Sequence, residues 1–205
     1  FLIGRLDSTS TPKQYRWPRW ATPAIFLALS SLWTWPALVG GETRGVGLHF
    51  DTYGTIWSLS AASRLVPTLT DTMTAWPLGG TYQAFDSFTL LPVALLFQSV
   101  DPVQLHALLG LVGVAASAWA AELFAYRLGA LRPWSLIAGL TFAFSGLGAT
   151  ALLEGHVYHV VNPWLPLFGL YWWQSCGPEG TLKDSVLAGV FFVLTMYTTA
   201  YLGVA

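Results

Sequence analysis

Ala21 to Val39 is an apolar run without a single charge, and a second, longer apolar run extends from Val103 to Tyr126. At 1.5 Å of rise per residue, about 20 apolar residues in a helix cross the ~30 Å hydrocarbon layer of a bilayer. Two such runs in 205 residues constrain the fold more than any other feature. Composition points the same way: the chain is 54% hydrophobic and 9% charged, with a mean hydropathy of +0.55, whereas soluble domains carry roughly 25% charged residues. A surface made from this chain lacks the polar groups that water requires. The fold class expected is an all-α integral membrane protein, a polytopic helix bundle.

Charge distribution orients the bundle. Residues 1–20 hold Arg5, Lys13, Arg16 and Arg19 against Asp7 alone, and basic residues beside a first span stay on the cytoplasmic side. The 1–20 segment is therefore expected inside, with 21–39 running outward. Arg127 and Arg132 directly follow 103–126, so that span returns inward and leaves 41–102 as an external loop. Further spans are expected over 134–153, 160–173 and 185–203. The chain starts at Phe1 and stops within an apolar run, which reads as a piece of a longer protein. The polar start precedes an apolar run too long for a signal core, so 21–39 reads as a retained span.

The external loop is the polar part. Ile56, Leu59, Ala62 and Val66 recur at helical spacing, which predicts a helix lying on the membrane surface. Trp76-Pro77-Leu78-Gly79-Gly80 is turn chemistry. Phe88 to Phe97 is too short to cross and contains Pro92, which fits a re-entrant or interfacial segment. Gly113, Ser117 and Ala121 form a small-residue stripe for close helix packing. Asn162-Pro163 and Pro166 are expected to distort the outer half of 160–173.

Several residues invite a chemical reading beside a structural one. Asp51 stands soon after the first span, where it serves either as a general base or as a cap for the following helix. Glu154, His156 and His159 fall together on the external side and suit either metal or diphosphate binding or interfacial hydrogen bonding. Asp86 lies in the same external loop. Arg44 and Arg64 suit a lipid phosphate or merely anionic headgroups. Glu122 and His106 lie within a span, where ionisable groups are costly; each is near an end, so snorkelling or a satisfied helix contact is the simpler expectation. The single Cys176 excludes an internal disulfide, and a net charge of −1 gives no basic surface for nucleic acid.

The order of features resembles the N-terminal half of the GT-C integral-membrane glycosyltransferases. The residues that carry the resemblance are Phe50-Asp51, Trp76-Pro77-Leu78-Gly79-Gly80 with Asp86, Tyr126-Arg127-Leu128-Gly129, Ala138 to Ser145, and Gly155-His156 with Trp164-Leu165-Pro166-Leu167. The resemblance implies transfer of a sugar from a polyprenyl-phosphate donor at the external face of a bacterial inner membrane. It also implies a catalytic base at Asp51 and further active-site polarity at Glu154 or His156. Membrane lipids and a lipid-linked sugar donor are the implied partners, and the cofactor is left open, a divalent metal included. No Asp-x-Asp or Glu-Asp pair lies near Asp51, which keeps a second reading open, a non-catalytic GT-C-like subunit of a larger membrane complex. A transporter is the third.

Overall fold

A computed structural model describes residues 18, 20–39, 47, 51–65, 70–71, 80–81, 90–154, 157 and 161–198, with backbone alone at 51, 62–65, 70–71, 80–81, 90–91 and 147. The described chain is helical apart from one antiparallel bridge. Its helices are α1 (Ala21–Val39), α2 (Asp51–Leu65), α3 (Leu90–Leu96), α4 (Pro102–Arg127), α5 (Arg132–Ala143), α6 (Gly146–Leu153), α7 (Trp164–Cys176) and α8 (Leu182–Thr198). The bridge joins β1 (Thr70–Asp71) to β2 (Gly80–Thr81), pairing Thr70 with Thr81 and Asp71 with Gly80.

Two helices, α1 and α4, are long and apolar enough to cross a membrane, α1 lying near the N-terminus. Three of the five expected spans come out differently. The run 134–153 is not one helix: α5 ends at Ala143, and Ser145 starts α6 by accepting the Gly148 N–H at 3.2 Å. A serine cap followed by two glycines favours a new start over continuation. At 12 and 8 residues, the two pieces are only about 18 and 12 Å long. The expected span at 160–173 begins later, at Trp164, because Asn162-Pro163 precedes it. Asn162 Oδ1 accepts the Leu165 N–H at 3.2 Å, and Pro166 falls in the first turn, where no intrahelical donor is lost. Distortion of the helix is thereby avoided. The last helix starts at Leu182 rather than 185, because Thr181 and Asp184 form a reciprocal cap: the Thr181 N–H donates to Asp184 Oδ2 and the Asp184 N–H to Thr181 Oγ1. Residues 199–203 of that expected span lie outside the described residues.

The α4–α5 turn is closed by backbone chemistry. Gly129 N–H donates to Tyr126 O and Ala130 N–H to Ala125 O, both at 3.1 Å, with Gly129 at φ 98°. This is the Schellman arrangement, and its left-handed position favours glycine. Leu131 then extends, and Pro133 sits in the first turn of α5.

Contacts give the helix directions. Glu122 meets Ser135, while Ala118 lies against Gly139, so α4 and α5 are antiparallel. Ser30 Oγ donates to Leu111 O at 2.7 Å and Phe26 reaches Gly139, which sets α1 antiparallel to α4. Gly113 faces Val161, the Asn162 N–H donates to Ser117 Oγ at 2.9 Å, and Phe124 lies against Gly169, so α7 runs parallel to α4. The turn 177–181 returns α8 alongside α7, with the Phe191 ring stacked near both Trp164 and Tyr171. Where the stripe Gly113–Ser117–Ala121 was expected to seat a neighbour, it does: a Cβ at Gly113 would stand 2.1 Å from Val161 Cγ2.

Around an apolar core, α1 and α8 turn small and hydroxyl residues inward and many large apolar ones outward. On α1 the buried residues are Thr22, Phe26, Ser30, Thr34 and Ala37, while Leu27, Leu32, Trp35 and Val39 are exposed. On α8, Ala188, Thr195 and Thr198 are buried and Val186, Val190, Phe192 and Val193 are exposed. Small and hydroxyl side chains inside with large apolar ones outside is the packing that suits lipid as solvent.

Candidate functional site

α2 begins five residues earlier than the predicted surface helix, and it buries a different face. Thr52, Thr55, Ser58, Leu59 and Ala61 are buried, while Tyr53 and Trp57 are exposed and Ile56 is half-buried. Of the expected stripe, Leu59 is inward and Ile56 half-buried, the side chains of Ala62 and Val66 lie outside the described residues, and hydroxyls at i, i+3 and i+6 share the buried face. α2 packs on α3 and α4 through this face, and α3 leads through the 97–101 turn into α4. Asp101 caps α4, its Oδ1 accepting the Val103 and Gln104 N–H groups at 2.9 and 3.1 Å. With only seven residues, α3 is too short to span.

Buried polar groups occur along the bundle, with Thr22, Glu122 and Ser135 at the end that holds the α4–α5 turn and a larger group at the other end. Helix directions bring together the end of α1 with Thr34, the start of α4 with His106, Asn162 before α7, and the end of α8 with Thr195 and Thr198. The hydroxyl face of α2 joins them from the side. His106 is 0% exposed and so does not snorkel to an interface. Thr52 Oγ1 is buried and makes no hydrogen bond among the described residues.

The residues singled out in the sequence fall as follows. Asp51 is the first residue of α2, a position where a carboxylate also stabilises the helix N-terminus. Arg64 lies near the other end of the same helix, so the backbones of Asp51 and Arg64 are about 20 Å apart along its axis. These two residues cannot both touch one sugar–phosphate linkage. Glu154 is exposed at the C-terminal cap of α6, where the helix dipole opposes a negative charge. Among the described residues α2 and α6 share no main packing interface. Asp71 pairs through its backbone with Gly80. Arg44, Asp86, His156 and His159 lie outside the described residues. No group of three or more His, Cys, Asp or Glu side chains suited to a metal ion occurs among the described residues.

Glu122 gets the satisfied helix contact. It is 1% exposed, is paired with Arg132 from the start of α5, and accepts the Ser135 hydroxyl at 3.1 Å. Arg132 also lies over the Tyr126 ring, 3.8 Å from its centroid.

Two features escaped the sequence reading. One is the hydroxyl face of α2, detectable as Thr52-x-x-Thr55-x-x-Ser58 once hydroxyls are taken to face inward. The other is a cleft of about 800 Å³ at the opposite end, where α4 and α7 finish and α8 begins, lined by Arg127, Trp173, Gln174, Glu179 and Asp184 among others. It joins residues far apart in the chain, Arg127 with Glu179 and Asp184, and no local pattern announces it. No protein-family model, curated protein or solved structure matches this chain.

Proposed function

We propose that this chain works as a membrane glycosyltransferase of the GT-C type, moving a sugar from a polyprenyl-phosphate donor to an acceptor hydroxyl at the external membrane face. The observation that supports this reading is the group of buried polar side chains Thr34, Thr52, Thr55, Ser58, His106, Asn162, Thr195 and Thr198 toward one end of a bundle that exposes many large apolar side chains. Polar groups inside a membrane bundle are costly and mark sites of chemistry or transport. α2 delivers both a hydroxyl face and, at its first residue, Asp51 to that end.

In this reading α5–α6, α7 and α8 lie at membrane depth with α1 and α4, giving five crossings with the N-terminus cytoplasmic. The alternating directions of α1, α4, α5, α7 and α8 support it. Asp51 takes the proton of the acceptor hydroxyl as that oxygen attacks the anomeric carbon and the bond to the phosphate oxygen breaks. Polyprenyl phosphate leaves. Glu154, His156, His159 and Asp86 supply further polar contacts on the same side, and Arg44 holds the donor phosphate. Arg64, a helix length from Asp51, serves the lipid surface instead.

The test is Asp51→Asn in the full chain, followed by transfer of labelled sugar from polyprenyl-phosphate donors in membranes. Transfer is expected to vanish while expression and membrane insertion persist, and Asp51→Glu should retain part of it. Full transfer by Asp51→Asn would sink the assignment. Copurification with other membrane proteins at fixed stoichiometry, without donor binding, would favour the scaffold-subunit reading.

A further inference from the structure

The cleft at the far end of the bundle has a composition that selects a ligand. Its wall at the end of α4 is Arg127, an exposed guanidinium that joins no ion pair among the described residues, where Arg132 pairs with Glu122. Facing it are two carboxylates, Glu179 in the α7–α8 turn and Asp184 in the first turn of α8. Both hydrogen bonds that Asp184 accepts from Thr181 end on Oδ2, which leaves Oδ1 to a ligand. Gln174 adds an amide, and the C-terminal ends of α4 and α7 both finish at the cleft, where their dipoles favour a positive charge. A cation and two carboxylates lining one cleft fit a zwitterion. The guanidinium suits a phosphate, which it can engage with two N–H donors. The carboxylates and helix ends suit a primary ammonium.

The surroundings decide where such a zwitterion comes from. Trp173 lines the cleft and is half exposed, Trp172 beside it is 58% exposed, and Leu182 at the start of α8 is 81% exposed. Indoles of this kind collect at the headgroup level of a bilayer. From there the exposed Val186, Val190 and Val193 of α8 continue the apolar surface along the bundle. A polar cleft opening onto an apolar helix face matches an amphiphile. We propose that this cleft binds the headgroup of phosphatidylethanolamine, with the phosphate on Arg127, the ammonium between Glu179 and Asp184, and the acyl chains along α8. The site stands apart from the α2 end, and it holds whether or not the chain transfers sugar.

The experiment is native mass spectrometry of the full chain purified in detergent and incubated with dioleoyl-phosphatidylethanolamine or dioleoyl-phosphatidylcholine. The ethanolamine lipid should be retained about fivefold more than the choline lipid, since only the primary ammonium has N–H donors for the carboxylates and such a hydrogen bond contributes about 1 kcal/mol. Glu179→Gln should abolish that preference, lowering ethanolamine-lipid retention more than choline-lipid retention, and Arg127→Gln should lower retention of both. Equal retention of the two lipids by the unaltered chain, or a preference that survives Glu179→Gln, overturns the proposal. Soluble O-phosphoethanolamine is the control for source. Displacement of the lipid by an equal concentration of it would assign the cleft to a free zwitterion and overturn the lipid assignment.

Discussion

Arg132 reaches back across the α4–α5 turn to the carboxylate of Glu122, ten residues earlier and 1% exposed. The pair, together with Ser135, fastens the two helices near the turn that joins them. Removing the cation strands a buried charge, which costs more than the pair itself contributes. Arg132→Met should therefore lower unfolding stability in detergent by about 3 kcal/mol. Glu122→Gln, which can still accept from Ser135, should cost only about 1 kcal/mol. The double variant should recover most of the Arg132→Met loss, and thermal unfolding of the three proteins measures it.

Gly139 is the point of closest approach between α1, α4 and α5. A Cβ there would stand 2.5 Å from Ala118 O and 2.6 Å from Phe26 Cζ. The phenylalanine ring can shift, but the backbone oxygen cannot. Gly139→Ala should destabilise by about 1–3 kcal/mol, whereas Gly189→Ala, with open space around it, should be neutral or stabilising. A comparison of their melting temperatures tests this directly.

Asp184 titrates with the cap it forms. The Thr181 hydroxyl and backbone N–H donate to its carboxylate and hold its pKa below the ordinary value of 3.8. A carboxyl whose folded pKa is depressed contributes stability that is fully present above its unfolded pKa and is lost as pH falls through the folded one. The contribution should thus be constant above about pH 5 and decline below about pH 4. The difference in melting temperature between the unaltered chain and Asp184→Asn, followed from pH 7 to pH 3, should narrow only in the acid range. A difference that instead narrows between pH 7 and pH 5 contradicts the cap.

Cys176 is the chain's single cysteine and is exposed at the end of α7. In the five-crossing arrangement this turn faces the cytoplasm. A membrane-impermeant maleimide should leave Cys176 unlabelled in intact spheroplasts and label it after permeabilisation. Labelling in intact spheroplasts reverses the orientation of the bundle.

Hydropathy located α1 to the residue and α4 to within one residue at each end, because an uncharged or nearly uncharged run and its flanking breakers are local properties. Pro133 and the stripe from Gly113 were legible for the same reason. The break at Ser145 was not, although its signal lies in the sequence: a window averaged over 134–153 hides a serine cap and two glycines within otherwise apolar residues. The buried face of α2 was not legible because the spacing of Ile56, Leu59, Ala62 and Val66 fits a helix on a membrane surface, whereas α2 packs on α3 and α4 with Thr52, Thr55 and Ser58 buried. The cleft was out of reach because Arg127 and Glu179 are neighbours only after α7 has folded back beside α4. Glu122 was legible as a problem, a carboxylate within a span, while its solution required knowing that Arg132 turns back.

The interruption at Phe144–Ser145 divides one apolar run between two anchors. α5 is held by the Glu122 pair and by Gly139 against its neighbours, and the Trp33 ring stacks on Phe144 at 4.7 Å where the helix stops. Beyond that point Ser145 sets a new helix axis. Glu154, at the tip of α6, takes its position from that second axis, with Leu152 and Ala151 of the same helix seated against the core. The apolar run 134–153 thus gives the bundle two helix directions in place of one, and the second of them aims Glu154.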